Sequence, residues 1–143
     1  MLVGQLSLVA ATLFAGVAIY VNVAEQPARL DLGDAALLTA WKSAYKRAFA
    51  MQALLALVGS FLGLLAWSEM KDWLWLFGAI ALLANWPYTL FVINPTTKQL
   101  KRIRSASAGS ESRLMIERWC RLHAVRSALG FVAMLIFLWA SVS

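Results

Sequence analysis

The sequence predicts an all-α protein, an antiparallel four-helix transmembrane bundle with both termini outside and two basic cytoplasmic loops. Three observations predict it. Hydrophobic residues make up 62% of the 143 and charged residues only 14%, where a soluble domain has roughly 45–50% and about 25%. Four runs lack Asp, Glu, Lys and Arg: residues 1–24, 48–68, 73–97 and 127–143. Each suits a helix crossing about 30 Å of hydrocarbon, which takes roughly 17–25 apolar residues. Finally, 12 of the 13 basic residues lie on two of the three connections and their flanks. Basic residues gather on the cytoplasmic side of membrane proteins. Intrinsic disorder, an ordinary cytosolic enzyme and a nucleic-acid-binding domain are excluded by the same composition, and the net charge of +6 is read as loop charge rather than as a nucleic-acid patch.

The chain reads as one domain, 1–143, with helices at about 1–25, 41–67, 72–94 and 116–141. Helix 1 lacks a basic leader segment and stays apolar beyond the span of a signal peptide, so it is read as a retained transmembrane helix. It ends in Tyr20-Val-Asn22-Val-Ala-Glu25-Gln-Pro27, where Asn22 and Glu25, three apart, are expected to share a face and Pro27 to end or redirect the helix. The loop beyond it and the start of helix 2 carry Arg29, Lys42, Lys46 and Arg47. Helix 2 opens with Trp41, Tyr45 and Gln52, whose spacing of four and seven keeps them on one face. A tight turn, Trp67 to Asp72, with Lys71, leads into helix 3. Trp67, Trp73, Trp75 and Trp139 are expected at the outer interface.

Helix 3 carries Asn85, Trp86, Pro87 and Thr89, then Asn94-Pro95-Thr96. Pro87 should kink it, and Asn85 and Thr89, one turn apart, are placed to satisfy the backbone groups that the proline frees. The stretch Ser105 to Ser112 is small and polar, and is expected to be a flexible loop tip. Helix 4 begins with Trp119, His123 and Arg126, on one face by their spacing of four and three, with Gly130 continuing it. Arg126 lies deep enough to cost roughly 2.5–3.5 kcal/mol without a partner, and Glu25 is its expected counter-charge. Helices 1 and 3 run inward, 2 and 4 outward. All four therefore bring polar side chains to the cytoplasmic level, which suggests an internal polar site.

Four stretches carry a family resemblance: Gly16 to Pro27, Trp41-Lys-Ser-Ala-Tyr45, Asn85-Trp-Pro-Tyr-Thr89 with Asn94 to Leu100, and Arg118-Trp-Cys-Arg-Leu-His-Ala-Val-Arg126. With these, the chain resembles the anthrone oxygenase-like family of small four-helix membrane proteins. Gln26 and Thr97 depart from its pattern. The resemblance implies oxidation of anthrone-like or phenolic substrates by dioxygen, in a bacterial inner membrane.

An anthrone is acidic at the carbon opposite its carbonyl, and its anion reacts with dioxygen without a metal. His123, the only side chain whose ordinary pKa lies near neutrality, is the base candidate. Arg126, Asn94 and Tyr45 are the candidates for stabilising the oxyanion. Trp41, Trp86 and Trp119 would wall the ring system, with Glu25, Asn22, Asn85 and Thr89 as further binding residues. No metal ligands are assigned and no cofactor is predicted: one histidine does not make a two-His-one-carboxylate iron site, although a single-histidine haem or metal site stays open. The expected partners are the lipid bilayer and an apolar or aromatic small molecule, with a homo-oligomer or membrane complex open. The rival reading is a non-enzymatic small-molecule-binding or accessory subunit. An enzyme or binder calls for a pocket of at least about 300 Å³, whereas a scaffold would pack the polar face shut.

Overall fold

The computed structural model covers residues 1–143. Four helices make up the molecule: α1 (Leu2–Leu30), α2 (Asp34–Met70), α3 (Trp73–Arg102) and α4 (Ser110–Val142), each long and apolar enough to cross a membrane. The protein is an all-α, antiparallel bundle. α1 and α3 each pack against both α2 and α4, and α2 touches α4 across the diagonal. One end holds 12 of the 13 basic residues and is called the basic end; Lys71 lies at the far end.

The helices outrun the lengths expected from hydropathy, mostly at the basic end. An apolar run stops at the first charge, but a helix need not, because side chains with long stems carry their charges outward into water. Thus α2 starts at Asp34 rather than near 41, and Leu37 and Leu38 are fully buried there. The stretch 105–112, expected to be flexible, is short and pinned. It holds a single 3₁₀ turn, Ser105–Ser107, and the Gly109 N–H donates to the Ser112 hydroxyl at 3.0 Å. Next to it, Arg113 closes the basic end: its Nε donates to Asp34 Oδ1 at 2.6 Å and its Nη1 to the Leu30 carbonyl at 2.8 Å.

Neither Pro27 nor Pro95 stops its helix. A proline lacks the N–H for the carbonyl four residues back, and its ring crowds that carbonyl. Each helix widens by one π turn just before the proline, which relieves both problems. In α1 the wide turn is Val21–Glu25, and the Gln26 N–H reaches the Val21 carbonyl ahead of Pro27. In α3 it is Thr89–Ile93, and the Asn94 N–H reaches the Thr89 carbonyl ahead of Pro95. The expected end at Pro27 is therefore a widened turn within a continuing helix. Near Pro87, where a kink is expected, the regular helix of α3 is interrupted for one residue, at Ala84. Asn85 does not take its expected part: its Nδ2 donates to the Leu82 carbonyl at 3.0 Å, not to the Leu83 carbonyl that Pro87 frees. Nor does Thr89, whose hydroxyl has no partner.

Toward the far end the helices meet through small residues, which bring backbones close in a medium with no hydrophobic drive between helices. Gly63 and Gly78 receive the ring of Phe137; a Cβ at Gly63 would lie 2.8 Å from Phe137 Cζ. Trp75, expected at the interface, is instead buried, stacked on Phe137 with centroids 5.6 Å apart. Gly4 gives it room: a Cβ there would come within 2.6 Å of the indole. Trp73 and Trp139 are exposed as interfacial residues should be.

Gly78→Leu is expected to destabilise the bundle by roughly 1–3 kcal/mol through overpacking against Phe137. Thermal unfolding in detergent, followed by circular dichroism, checks it; an unchanged midpoint would show that the contact is not tight.

Candidate functional site

Polar side chains do converge at one level of the bundle, in its basic half, but the connections differ from those expected. Glu25 is not the partner of Arg126. It pairs with Arg29, Oε1 to Nη1 at 3.7 Å, one turn further along α1. The wide turn explains this. Across a π turn the α-helical spacing of three and four no longer marks one face. Asn22 points into the bundle, Gln26 is fully buried, and Glu25 lies between them at the edge.

Asn22 is the centre of the polar contacts. Its Nδ2 donates to the Cys120 carbonyl at 2.9 Å. Its Oδ1 lies 2.7 Å from His123 Nδ1 and accepts the Ser127 hydroxyl at 2.7 Å. These contacts settle two ambiguities together. A carbonyl only accepts, so the amide nitrogen must face Cys120 and the amide oxygen must face His123. An amide oxygen also only accepts, so His123 Nδ1 carries the proton. In the neutral ring, Nε2 then has a free lone pair. It makes no hydrogen bond within the protein, and His123, only 1% exposed, lines a cleft between α1, α2 and α4.

The cleft is walled by aromatic rings. Trp119 stacks on His123 at 5.0 Å between centroids and meets Trp41 edge-on at 5.6 Å. Trp41 stacks on Tyr45 at 5.2 Å, and Tyr45 on Phe49 at 5.7 Å. The Lys101 ammonium caps the Tyr45 ring at 4.9 Å. Arg126, one turn beyond His123 on α4, closes the cleft deeper in the bundle. It is 4% exposed, forms no ion pair or hydrogen bond within the protein, and rests on Phe14 with its guanidinium carbon 5.8 Å from the ring centroid. Gly130 makes that possible, since a Cβ there would lie 2.6 Å from Phe14 Cδ1.

A second cleft opens between α2, α3 and α4, lined by Asn85, Trp86 and Thr89 among others. Phe49 and Arg126 line both clefts and divide them. Each holds only about 10 Å³ of free space for a water-sized sphere, room for about one water. A ring system therefore requires the helices to part. Of the residues expected at the site, Glu25, Trp41, Tyr45, Trp119, His123 and Arg126 line the first cleft. Asn85, Trp86 and Thr89 line the second, and Asn22 stands behind His123. Asn94 reaches neither; it begins the turn after the wide segment of α3. Arg29, Phe49 and Gln52 were missed as lining residues. Gln52 had the signal, a buried polar residue in register with Trp41 and Tyr45.

Eight buried side-chain polar atoms lack a partner within the protein, and all lie in this half: those of Gln26, Arg29, Trp41, Gln52, Asn85, Thr89, Trp119 and Arg126. Buried polar atoms are almost always paired. Around the first cleft most of them are donors, namely two indole N–H groups and two guanidinium Nε–H groups. The protein offers that cleft one carboxylate, at its edge. Such a cleft suits an anion with an apolar body. No three His, Cys, Asp or Glu side chains come together.

Two outcomes follow from this geometry. Nitrogen chemical shifts of His123 are expected to report the Nδ1–H tautomer, and Asn22→Leu should mix the two tautomers; an Nε2–H ring in the parent protein would overturn the assignment. In double-mutant cycles on stability, Glu25 and Arg29 should couple by about 0.3–0.5 kcal/mol, whereas Glu25 and Arg126 should be additive.

Among known proteins, the family model described as anthrone oxygenase matches residues 41–136. No curated protein and no solved structure matches. The matched stretch holds every expected site residue except Asn22 and Glu25 of α1. With two-thirds of its length matched and four membrane-spanning helices around a polar cleft, this chain is an integral membrane protein that belongs to the anthrone oxygenase family.

Proposed function

We propose that the protein is a cofactor-independent oxygenase that converts an anthrone-like or phenolic ketone to a quinone with dioxygen. The observation that carries this reading is the His123 imidazole, held by Asn22 with Nε2 on the cleft and Arg126 lining the same cleft one turn deeper on α4. Nε2 accepts a proton from the carbon opposite the ketone, and the electron pair delocalises onto the ketone oxygen. That oxyanion is met by Arg126 and by the indole N–H groups of Trp41 and Trp119, donors fixed before charge develops. Trp41, Trp119 and Tyr45 bound the rings. The anion then reduces dioxygen. Overall, one CH₂ group and one O₂ become one carbonyl and one water, so no other oxidant is needed.

The substrate comes from the membrane. The first cleft's partly exposed rim is made by Glu25 of α1 and by Ala44, Ala48 and Phe49 of α2, and an anthrone is soluble in hydrocarbon. The basic end faces the cytoplasm of a bacterial inner membrane, with both termini outside. The small free volume favours a second reading, a non-enzymatic accessory subunit whose polar face is packed shut.

Oxygen consumption with anthrone in nanodiscs separates the two. His123→Gln should keep the fold and lose turnover by roughly 10²–10⁴-fold, and Asn22→Leu should lower kcat by at least about tenfold with KM little changed. Full activity in His123→Gln would remove the histidine from the chemistry, and no turnover across a phenolic panel would favour the accessory subunit. For orientation, single cysteines at 105–112 in a Cys120→Ser background should resist an impermeant thiol reagent in intact cells. Labelling there would invert the topology.

A further inference from the structure

The second cleft has no duty in the proton transfer at His123, yet it is built like a site. Asn85 is 1% exposed and its amide is already fixed, because Nδ2 is committed to the Leu82 carbonyl. That leaves Oδ1 buried without a donor, together with the Thr89 hydroxyl. Both belong to the residues that line the cleft, otherwise mostly apolar through Phe49, Ala53, Ala56 and Leu90. Leu90 is exposed on the lipid-facing side and Ala53 is partly so, which gives this cleft a mouth between α2 and α3. Trp86 spans that mouth, its Nε1 donating to the Ala53 carbonyl at 3.4 Å. Its free space equals that of the first cleft, room for about one water, so its lining and its mouth, not its size, distinguish it.

We propose that this second cleft is the oxygen subsite: dioxygen reaches it from the hydrocarbon between α2 and α3, and the peroxide formed from it is held by Arg126 on one side and by Asn85 and Thr89 on the other. The inference rests on the oxygenase reading and assigns its two reactants to two clefts that meet at Phe49 and Arg126. Dioxygen is apolar and concentrates in hydrocarbon, so a mouth facing lipid supplies it better than one facing water. The unpartnered acceptors are idle toward O₂ itself. They gain a donor once reduction creates an O–H bond.

The electrons and atoms balance through these groups. The carbanion passes one electron to dioxygen and the two radicals join, forming a C–O bond. The carbon is oxidised and O₂ is reduced by two electrons to a carbon-bound peroxide anion beside Arg126. The imidazolium of His123 returns its proton, giving a hydroperoxide whose O–H donates to Asn85 Oδ1 or to Thr89. Nε2 then takes the second proton from the same carbon. The electron pair of that C–H bond becomes the new carbonyl π bond, the O–O bond breaks, and hydroxide leaves. Hydroxide takes the proton from the imidazolium and departs as water. His123 returns to its starting tautomer.

The test fills one cleft at a time, in nanodiscs with anthrone as the probe substrate. Ala53→Leu should raise KM for dioxygen about tenfold while leaving KM for anthrone near its parent value; Ala44→Leu, in the first cleft, should do the reverse. If Ala53→Leu does not fold, Leu90→Phe closes the same mouth and carries the same expectation. A rise in KM for anthrone alone, or in both together, would overturn the assignment, since the second cleft would then hold part of the organic ligand. A second measurement does not depend on turnover. Xenon, an apolar stand-in for dioxygen, should occupy the space between Asn85, Trp86 and Thr89 in pressurised crystals and be excluded in Ala53→Leu. An empty second cleft under xenon overturns the subsite, and absent turnover with xenon bound there counts against the oxygenase reading alone.

Discussion

Hydrocarbon offers no hydrogen bonds, so every polar group within the membrane must find its partners inside the bundle. The Asn22 amide is where this constraint bears hardest. It spans from α1 to α4 and satisfies a backbone carbonyl, a hydroxyl and an imidazole with one side chain. In doing so it chooses the histidine tautomer, and with it the chemistry available at Nε2. Each contact excludes the alternative arrangement of the others, so the group acts as a unit. The rest of the basic half is arranged around that anchor: the aromatic stack begins on the His123 ring, and Arg126 closes the cleft one turn deeper.

Pro27 and Pro95 shape the same half. A wide turn followed by Gln-Pro in α1 and by Asn-Pro in α3 is a local correspondence between two helices that run the same way. Trp41 and Tyr45 on α2 and Trp119 and His123 on α4 repeat a spacing of four at the matching level. The correspondence is in backbone geometry and a few side chains, too sparse to read as a sequence repeat. It supplies two clefts of similar size, one lined by an imidazole and the other not.

Much of this was legible from residue order alone. The four spans followed from charge-free runs, and the common face of Trp119, His123, Arg126 and Gly130 followed from helical spacing. The second holds because α4 is regular from end to end. The reading failed where the helix is not regular. Asn22 and Glu25, three apart, part company because a π turn lies between them, and hydropathy has no signal for such a turn. The Glu25–Arg126 pair assumed that a deep arginine takes the nearest carboxylate, but Arg29 is nearer to that carboxylate and Arg126 is left facing the cleft. Asn94 was placed by its depth, which does not determine which way a side chain points. Trp75 was assigned to the interface by type, although Gly4 and Phe137 make a slot for it inside.

The far half of the bundle differs in mechanical character. There Gly63 and Gly78 close on Phe137, and Gly4 closes on Trp75, leaving no slack between backbones. From Gly78 to Asn94 is about 24 Å of helix at 1.5 Å per residue. A bundle clamped at one end over such a length behaves as a pair of tweezers: a tilt of a few degrees at the clamp becomes a separation of an ångström or more at the tips. The tightly packed half thereby sets how far the clefts can widen, and a guest larger than a water would enter by leverage rather than by unpacking.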